Sequence, residues 1–285
     1  MTQKKSPQSH PSLPVFGAID LAVRNGVALL TLNRPDRHNA FDETMIKELT
    51  QALGIVEAAP EVRAVILLGA GASFCAGADL AWMKRMAASS QAKNVADARA
   101  MARLLQTLVN LGKPTIARVH GPAYGGGVGL VACCDIAIAS HEASFALSEA
   151  KVGLIPATIG PYVIEAIGAR NARRYFLTAE RFDSAEAYRI GLVHDLVATV
   201  EALDERINNL LGSLLLAGPK AQAAAKALVH AVSNRPVDDT VVAYTAECIA
   251  AVRASDEGRE GIAAFLSRRQ PAWVPESLRK SKSKR

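Results

Sequence analysis

Between Gly121 and Asp135 the chain reads Gly-Pro-Ala-Tyr-Gly-Gly-Gly-Val-Gly-Leu-Val-Ala-Cys-Cys-Asp, directly after the strand-like run Pro114-Thr-Ile-Ala-Arg-Val-His120. A strand that runs into a glycine cluster and then into an apolar segment with helical spacing leaves few folds open. Glycine inside a helix costs about 1 kcal/mol against alanine, so glycines kept there serve a purpose. They let the backbone come close to a neighbour or ligand. The bare N–H groups at the start of the helix then face something carrying negative charge.

The rest of the chain supplies an α/β setting. Ala18–Arg24 and Val27–Asn33 predict two strands around Asn25-Gly26, a hairpin signal. A helix follows from about Asp42, with Met45, Ile46, Leu49, Leu53 and Val56 on one face. Glu61–Gly69 reads as a buried strand ending in a second small-residue loop, Ala70-Gly-Ala-Ser-Phe-Cys-Ala-Gly-Ala-Asp79. A short helix over Leu80–Met86 and a longer one over about 94–111 come next. After the glycine stretch the pattern predicts short strands at Ile136–Ala139 and Ala143–Leu147, a loop at Val152–Pro156, and helices over 159–167 and 169–178. Asp183-Ser-Ala-Glu186 resembles a capping box, and Gly191–Val197 is a last strand. From about Val200 to Leu266 the chain reads as helix, broken at Gly218-Pro219 and Asn234-Arg-Pro236. The expected organisation is a polar, disordered lead over 1–15, a mixed core over 16–198, a helical region over 199–270 and a disordered basic tail over 271–285.

Formal net charge is +6, and Arg279, Lys280, Lys282, Lys284 and Arg285 carry five of those charges, which leaves +1 for the rest. The basicity therefore describes the tail, and it argues little for a nucleic-acid surface. Cys75, Cys133, Cys134 and Cys248 lie in apolar or small-residue contexts without metal-ligand spacing, as reduced, buried thiols do, so no metal or cofactor is expected. The first fifteen residues lack a signal-peptide core and no apolar run reaches membrane length. A soluble cytoplasmic protein is expected, with no membrane partner and no nucleic-acid partner.

Chemistry is carried by the two loops and one acid. Ala76-Gly77-Ala78-Asp79 and Gly125-Gly126-Gly127 each follow a buried strand and precede a helix, so each can aim a backbone N–H at one point. Two such donors converging on a carbonyl oxygen make an oxyanion hole, in which one donor is worth about 2.7–4 kcal/mol of transition-state stabilisation. Glu149, at the end of the apolar run from Phe145, is the candidate acid/base, since a partly desolvated carboxylate is suited to proton transfer. Taken singly, the loops are also readable as tight packing turns and Glu149 as a surface strand-end residue. Gly127-Val-Gly-Leu-Val-Ala132 also fits a dinucleotide fingerprint, with Glu149 some twenty residues on. Its first glycine lies several residues past the strand, and it leaves the Ala76–Asp79 loop without a role.

Leu32-Asn-Arg-Pro35, Asn39-Ala-Phe41, Phe74-Cys-Ala-Gly-Ala-Asp-Leu80, Gly125–Gly127, Cys134-Asp-Ile136 and Gly191-Leu-Val193 together resemble the enoyl-CoA hydratase/isomerase (crotonase) superfamily, over roughly residues 18–270. The resemblance implies a spiral of ββα units, a C-terminal helical trimerisation region, and a homotrimer or dimer of trimers. It implies acyl-CoA thioester substrates, with Ala78 and Gly126 as oxyanion donors and Glu149 as acid/base. Arg37, Ala40, Ala76, Ala78, Asp79, Leu80, Gly126 and Glu149 would then contact the acyl-CoA. Typical hydratases of the superfamily carry a second glutamate two residues after the glycine triplet, where this chain has Gly129. With one carboxylate the simplest chemistry is proton shuttling, as in single-glutamate enoyl-CoA isomerases. Leu147–Pro156, Gly160–Gly168 and Ala172–Phe182 nevertheless look like bacterial 3-methylglutaconyl-CoA hydratases of leucine degradation and the related isohexenylglutaconyl-CoA hydratases, a branch that also has glycine there. The distal carboxylate of such a substrate could hold the water, with Lys84 or Arg85 neutralising it. A reading of a different class is a non-catalytic protein that binds RNA or an acidic partner through its tail.

Overall fold

The computed structural model describes residues 13–279. The expected hairpin is present: β1 (Ile19–Arg24) and β2 (Val27–Leu32) pair antiparallel with Arg24 opposite Val27. Asn25 (φ 51°) and Gly26 (φ 78°) both take the left-handed conformation that a two-residue turn of this hand requires. Then come α1 (Glu43–Ala58), capped by the Asp42 side chain on the Met45 N–H, and β3 (Ala64–Gly69). α2 (Leu80–Ala87) and α3 (Gln91–Val109) precede β4 (Thr115–Val119). The glycine stretch folds into a two-residue strand, β5 (Ala123–Tyr124), and α4 (Gly126–Cys133). β6 (Ile136–Ser140), β7 (Ser144–Ala146), α5 (Gly160–Thr178), β8 (Arg181–Asp183), α6 (Ser184–Arg189) and β9 (Asp195–Val197) complete the mixed core. Four helices follow: α7 (Val200–Leu216), α8 (Pro219–Val232), α9 (Asp239–Ala254) and α10 (Asp256–Leu266).

Six strands form one sheet in the order β1-β2-β3-β4-β6-β9, parallel from β2 onward. A parallel sheet is stable when both faces are covered, and the alternation along β3 shows how this is met. Val65 and Leu67 join the large core with α1, α3, α4 and α5, while Ala64 and Ile66 face Leu203, Ile207 and Leu211 of α7. A second sheet, β5-β7-β8, is small and sits at the C-terminal side of the first. Of its strands only β7 was readable from the sequence, within the strand expected at Ala143–Leu147; β5 and β8, of two and three residues, carry no periodicity.

The two helices expected over 159–167 and 169–178 are present as the two arms of α5, separated by the non-helical Gly168 (φ 74°, ψ 152°). Two expectations are corrected. Residues 271–279 are docked, not a free tail: Val274 is buried, the Trp273 and Ala217 carbonyls accept from the Arg63 guanidinium, and the Trp273 Nε1–H donates to the Leu216 carbonyl. Residues 280–285 and 1–12 lie outside the described residues. Cys75, Cys133 and Cys134 are buried and unbridged, whereas Cys248 on α9 is only half-buried. Burial pushes the Cys75 and Cys134 thiols up to about 12, so neither is an active nucleophile. No described helix is long and apolar enough to cross a membrane.

Candidate active site

The two small-residue loops lie side by side. Cys75 and Ala123 form a parallel bridge, in which the Cys75 N–H donates to the Pro122 carbonyl (3.1 Å) and the Tyr124 N–H to the Cys75 carbonyl (2.8 Å). Gly127 must be glycine because a Cβ there would stand 2.4 Å from the Cys75 carbonyl oxygen. Gly125 turns the chain into α4 at φ 49°, ψ −117°, with its N–H on the Ala146 carbonyl (2.8 Å). A Cβ built on Gly125 would sit 3.8 Å from Gly77 Cα and 3.1 Å from Glu149 Oε1. One point in space thus touches both loops and the acid.

The donors follow directly. Gly126 opens α4, so its N–H has no partner within the helix. At Ala78, the bridge to Phe41 uses the Phe41 N–H on the Gly77 carbonyl and the Asp79 N–H on the Phe41 carbonyl. The Ala78 N–H between them has no acceptor among the described residues, and Ala78 is exposed to solvent. Both N–H groups sit one residue past glycines that face each other: a Cβ built on either would lie within 3.9 Å of the other's Cα.

Glu149 lies on a single turn of 3-10 helix, Ser148–Val152, immediately after β7. Its Oε2 is buried with no hydrogen-bond partner among the described residues. Burial holds its carboxyl above the usual carboxylate range, opposed only by a backbone N–H. This is the environment of a general acid/base.

The place of the absent second carboxylate is occupied. A Cβ on Gly129 would lie 2.2 Å from Ile159 Cγ2 and 2.8 Å from Ile159 Cβ. Ile159, buried just ahead of α5, fills the room that a longer side chain would need.

The remaining sequence candidates fall into two groups. Arg37, Ala40 and Ala76 lie along one edge of the first loop: the Ala76 N–H donates to the His38 carbonyl, and the Ala40 N–H to the Arg37 carbonyl. Arg37 is exposed there, whereas Ala40 is buried. Asp79 is occupied in structure: it caps α2 through the N–H groups of Ala81 and Trp82 and pairs with Arg34 at 3.1 Å. Burial pushes its pKa up, but those N–H bonds and Arg34 outweigh it and hold the carboxyl below the usual range. Leu80 follows with its side chain uncovered. His38 and His120, prominent in the sequence, brace the first loop through Ser73 Oγ (3.0 Å) and the Gly71 carbonyl (2.8 Å). Of the two α2 cations, one is already paired. Arg85 is held by both oxygens of Glu43 at 2.8 Å, and Lys84 is exposed, off the face that carries Trp82, Met83 and Met86. Asp97, which the sequence did not single out, faces Trp82 instead, accepting from its Nε1–H at 3.2 Å. Among the described residues no cluster of His, Cys, Asp and Glu could hold a metal ion.

Residues 22–276 match the enoyl-CoA hydratase/isomerase family. The chain belongs to that family. An enoyl-CoA hydratase structure from Shewanella pealeana superposes with a TM-score of 0.88 at 43% identity, over 90% of this chain and 96% of that one. A crotonyl-CoA hydratase of Syntrophomonas wolfei is 32% identical over 87% of this chain and 94% of its own. An (E)-benzylidenesuccinyl-CoA hydratase of Thauera aromatica is 32% identical over 90% and 98%.

Proposed function

We propose that this enzyme adds water across the double bond of an α,β-unsaturated acyl-CoA, with 3-methylglutaconyl-CoA as its substrate. The observation that carries the reading is the bare, buried Glu149 Oε2 beside the paired turns at Gly77 and Gly125. In the reaction the thioester oxygen accepts from the Ala78 and Gly126 N–H groups, which draws electron density out of the double bond. Water bonds to the β-carbon as its proton passes to Glu149, and the enolate then takes that proton at the α-carbon. No redox step and no cofactor enters, and the carboxylate is regenerated at each turnover.

The substrate reading rests on the resemblance of 147–182 to the methylglutaconyl branch. It is supported by a relative named for benzylidenesuccinyl-CoA, whose acyl group also bears a second carboxyl. Isohexenylglutaconyl-CoA belongs to the same chemical class. Incubating the enzyme with 3-methylglutaconyl-CoA and following loss of the conjugated-thioester absorbance tests it. Saturable hydration is expected, and no water addition to this ester or to crotonyl-CoA would refute it.

One observation favours a second reading. Ile159 leaves no space for a second carboxylate to hold water, which suits an isomerase that moves a proton with Glu149 alone. A 3-enoyl-CoA converted to its conjugated isomer in ¹⁸O-water without label uptake, alongside no hydration of 2-enoyl esters, would select it. The exposed apolar side chains of α8–α10 support assembly as a trimer or dimer of trimers.

A further inference from the structure

Two helices lie next to the two loops. α2 begins at Leu80, two residues past Ala78, with Asp79 as its N-cap and Trp82 in its first turn. α3 packs against α1 and α4 through Met101, Leu104, Leu105 and Leu108, and Met101 Cε lies 3.2 Å from where a Cβ on Gly126 would stand. Asp97 is one turn before Met101 on the same face, about 6 Å along the helix. The apolar stripe of α3 therefore ends in a carboxyl group, and Trp82 meets it at 3.2 Å. This hydrogen bond joins the helix that follows Ala78 to the helix that packs on Gly126.

We propose that Asp97 and Trp82 form the far end of the acyl pocket and bind the distal carboxylate of a dicarboxylic acyl group, with Asp97 and that carboxylate sharing one proton. The inference rests on the acyl-CoA reading of the site. Trp82 takes one Asp97 oxygen and leaves the other for a ligand. The charged groups around it allow a proton to stay. Burial raises the Asp97 pKa, Glu43 of α1 raises it further, and the Trp82 N–H and Lys93, one turn earlier on α3, oppose. Arg85 is committed to Glu43. Two carboxyl groups in contact cannot both ionise, so a pair holds one proton well above its ordinary range. Anchoring the distal carboxylate here takes it away from the attacking water, which leaves hydration to Glu149.

The test is equilibrium binding of two saturated esters, glutaryl-CoA and butyryl-CoA, by calorimetry at several pH values, so that it does not depend on turnover. In the wild type the preference for glutaryl-CoA should be largest at low pH and fall as pH rises through the shared titration. Asp97→Asn, whose amide keeps the donor without a titrating proton, should retain the preference and make it independent of pH. Asp97→Ala should cut the preference about tenfold, as loss of a hydrogen bond to a charged group does. A preference that is absent in the wild type, or that has the same size and pH dependence in all three proteins, overturns the proposal. If neither 2-enoyl ester is hydrated while the binding results hold, the hydratase reading fails and this one stands.

Discussion

Glu149 keeps one oxygen against Gly125 and buries the other without a partner, a poor arrangement for stability and a good one for proton transfer. Glu149→Gln should lower kcat by two orders of magnitude or more, the usual contribution of a positioned acid/base, with little change in the binding of a saturated acyl-CoA measured by calorimetry. The pH profile follows from the direction of the shift. The base form is needed for the first proton transfer, so kcat/KM should fall on acidification through a pKa above the usual carboxylate range. Stability runs the other way. The folded-state pKa is raised above that of the unfolded chain, so the fold loses stability as pH rises from the ordinary carboxylate range up to that pKa. Glu149→Gln should therefore melt higher than the wild type at neutral pH, and the difference should shrink as pH falls and be lost only below about pH 3, where both states of the wild type are protonated. At this scale the sequence singled out Ala78, Gly126 and Glu149, which the fold brings together, because small-residue loops after buried strands carry their own signal. Asp97 was silent: a lone acid in an amphipathic helix reads as solvated surface, and only the packing of α3 onto Gly126 reveals its direction.

Among the elements, the contact between α4 and the start of α5 decides how many carboxylates the site can hold. Gly129 was legible as the position where a second acid is missing, but its cause was not, since Ile159 is thirty positions away and reaches it only through the fold. If this contact is as tight as the geometry states, Gly129→Ala should destabilise by about 1–3 kcal/mol through overpacking, even though alanine is the better helix former. Ile159→Ala should cost about 2–5 kcal/mol by leaving a cavity. The double variant should be more stable than the sum of the two, because the methyl lost at 159 makes room for the one gained at 129. Urea denaturation of the four proteins measures that coupling. Additive effects would mean that α4 and α5 simply move apart. The hairpin, α1 with its Asp42 cap, and the Asp183–Glu186 cap were all readable in advance, since each is set by residues within a few positions of one another. β5 and β8 exist only because β7 lies between them.

At the scale of the whole molecule, the sheet has both faces covered, by α1, α3 and α4 on one side and by α7 on the other. The last three helices differ. α8 buries none of its residues, α9 buries only Val241 and α10 only Ala264. Val229, Val242, Ile249 and Ile262 are uncovered, and Phe265 and Leu266 are 82% and 74% exposed. Burying a large apolar side chain is worth about 1.5–3 kcal/mol, so this surface gains considerably from a second copy of the chain. The helical nature of 200–266 was plain from its periodicity, but which side of each helix would be left open depends on how they stack. Light scattering after size exclusion should give a trimer or a dimer of trimers for the wild type. Phe265→Ser with Leu266→Ser should shift the distribution toward monomer, with the far-ultraviolet helical signal retained because neither side chain packs within its own subunit. A monomeric wild type would remove the assembly from the reading. An unchanged oligomer in the double variant would move the interface away from the end of α10 and leave those two side chains as solvent-facing surface.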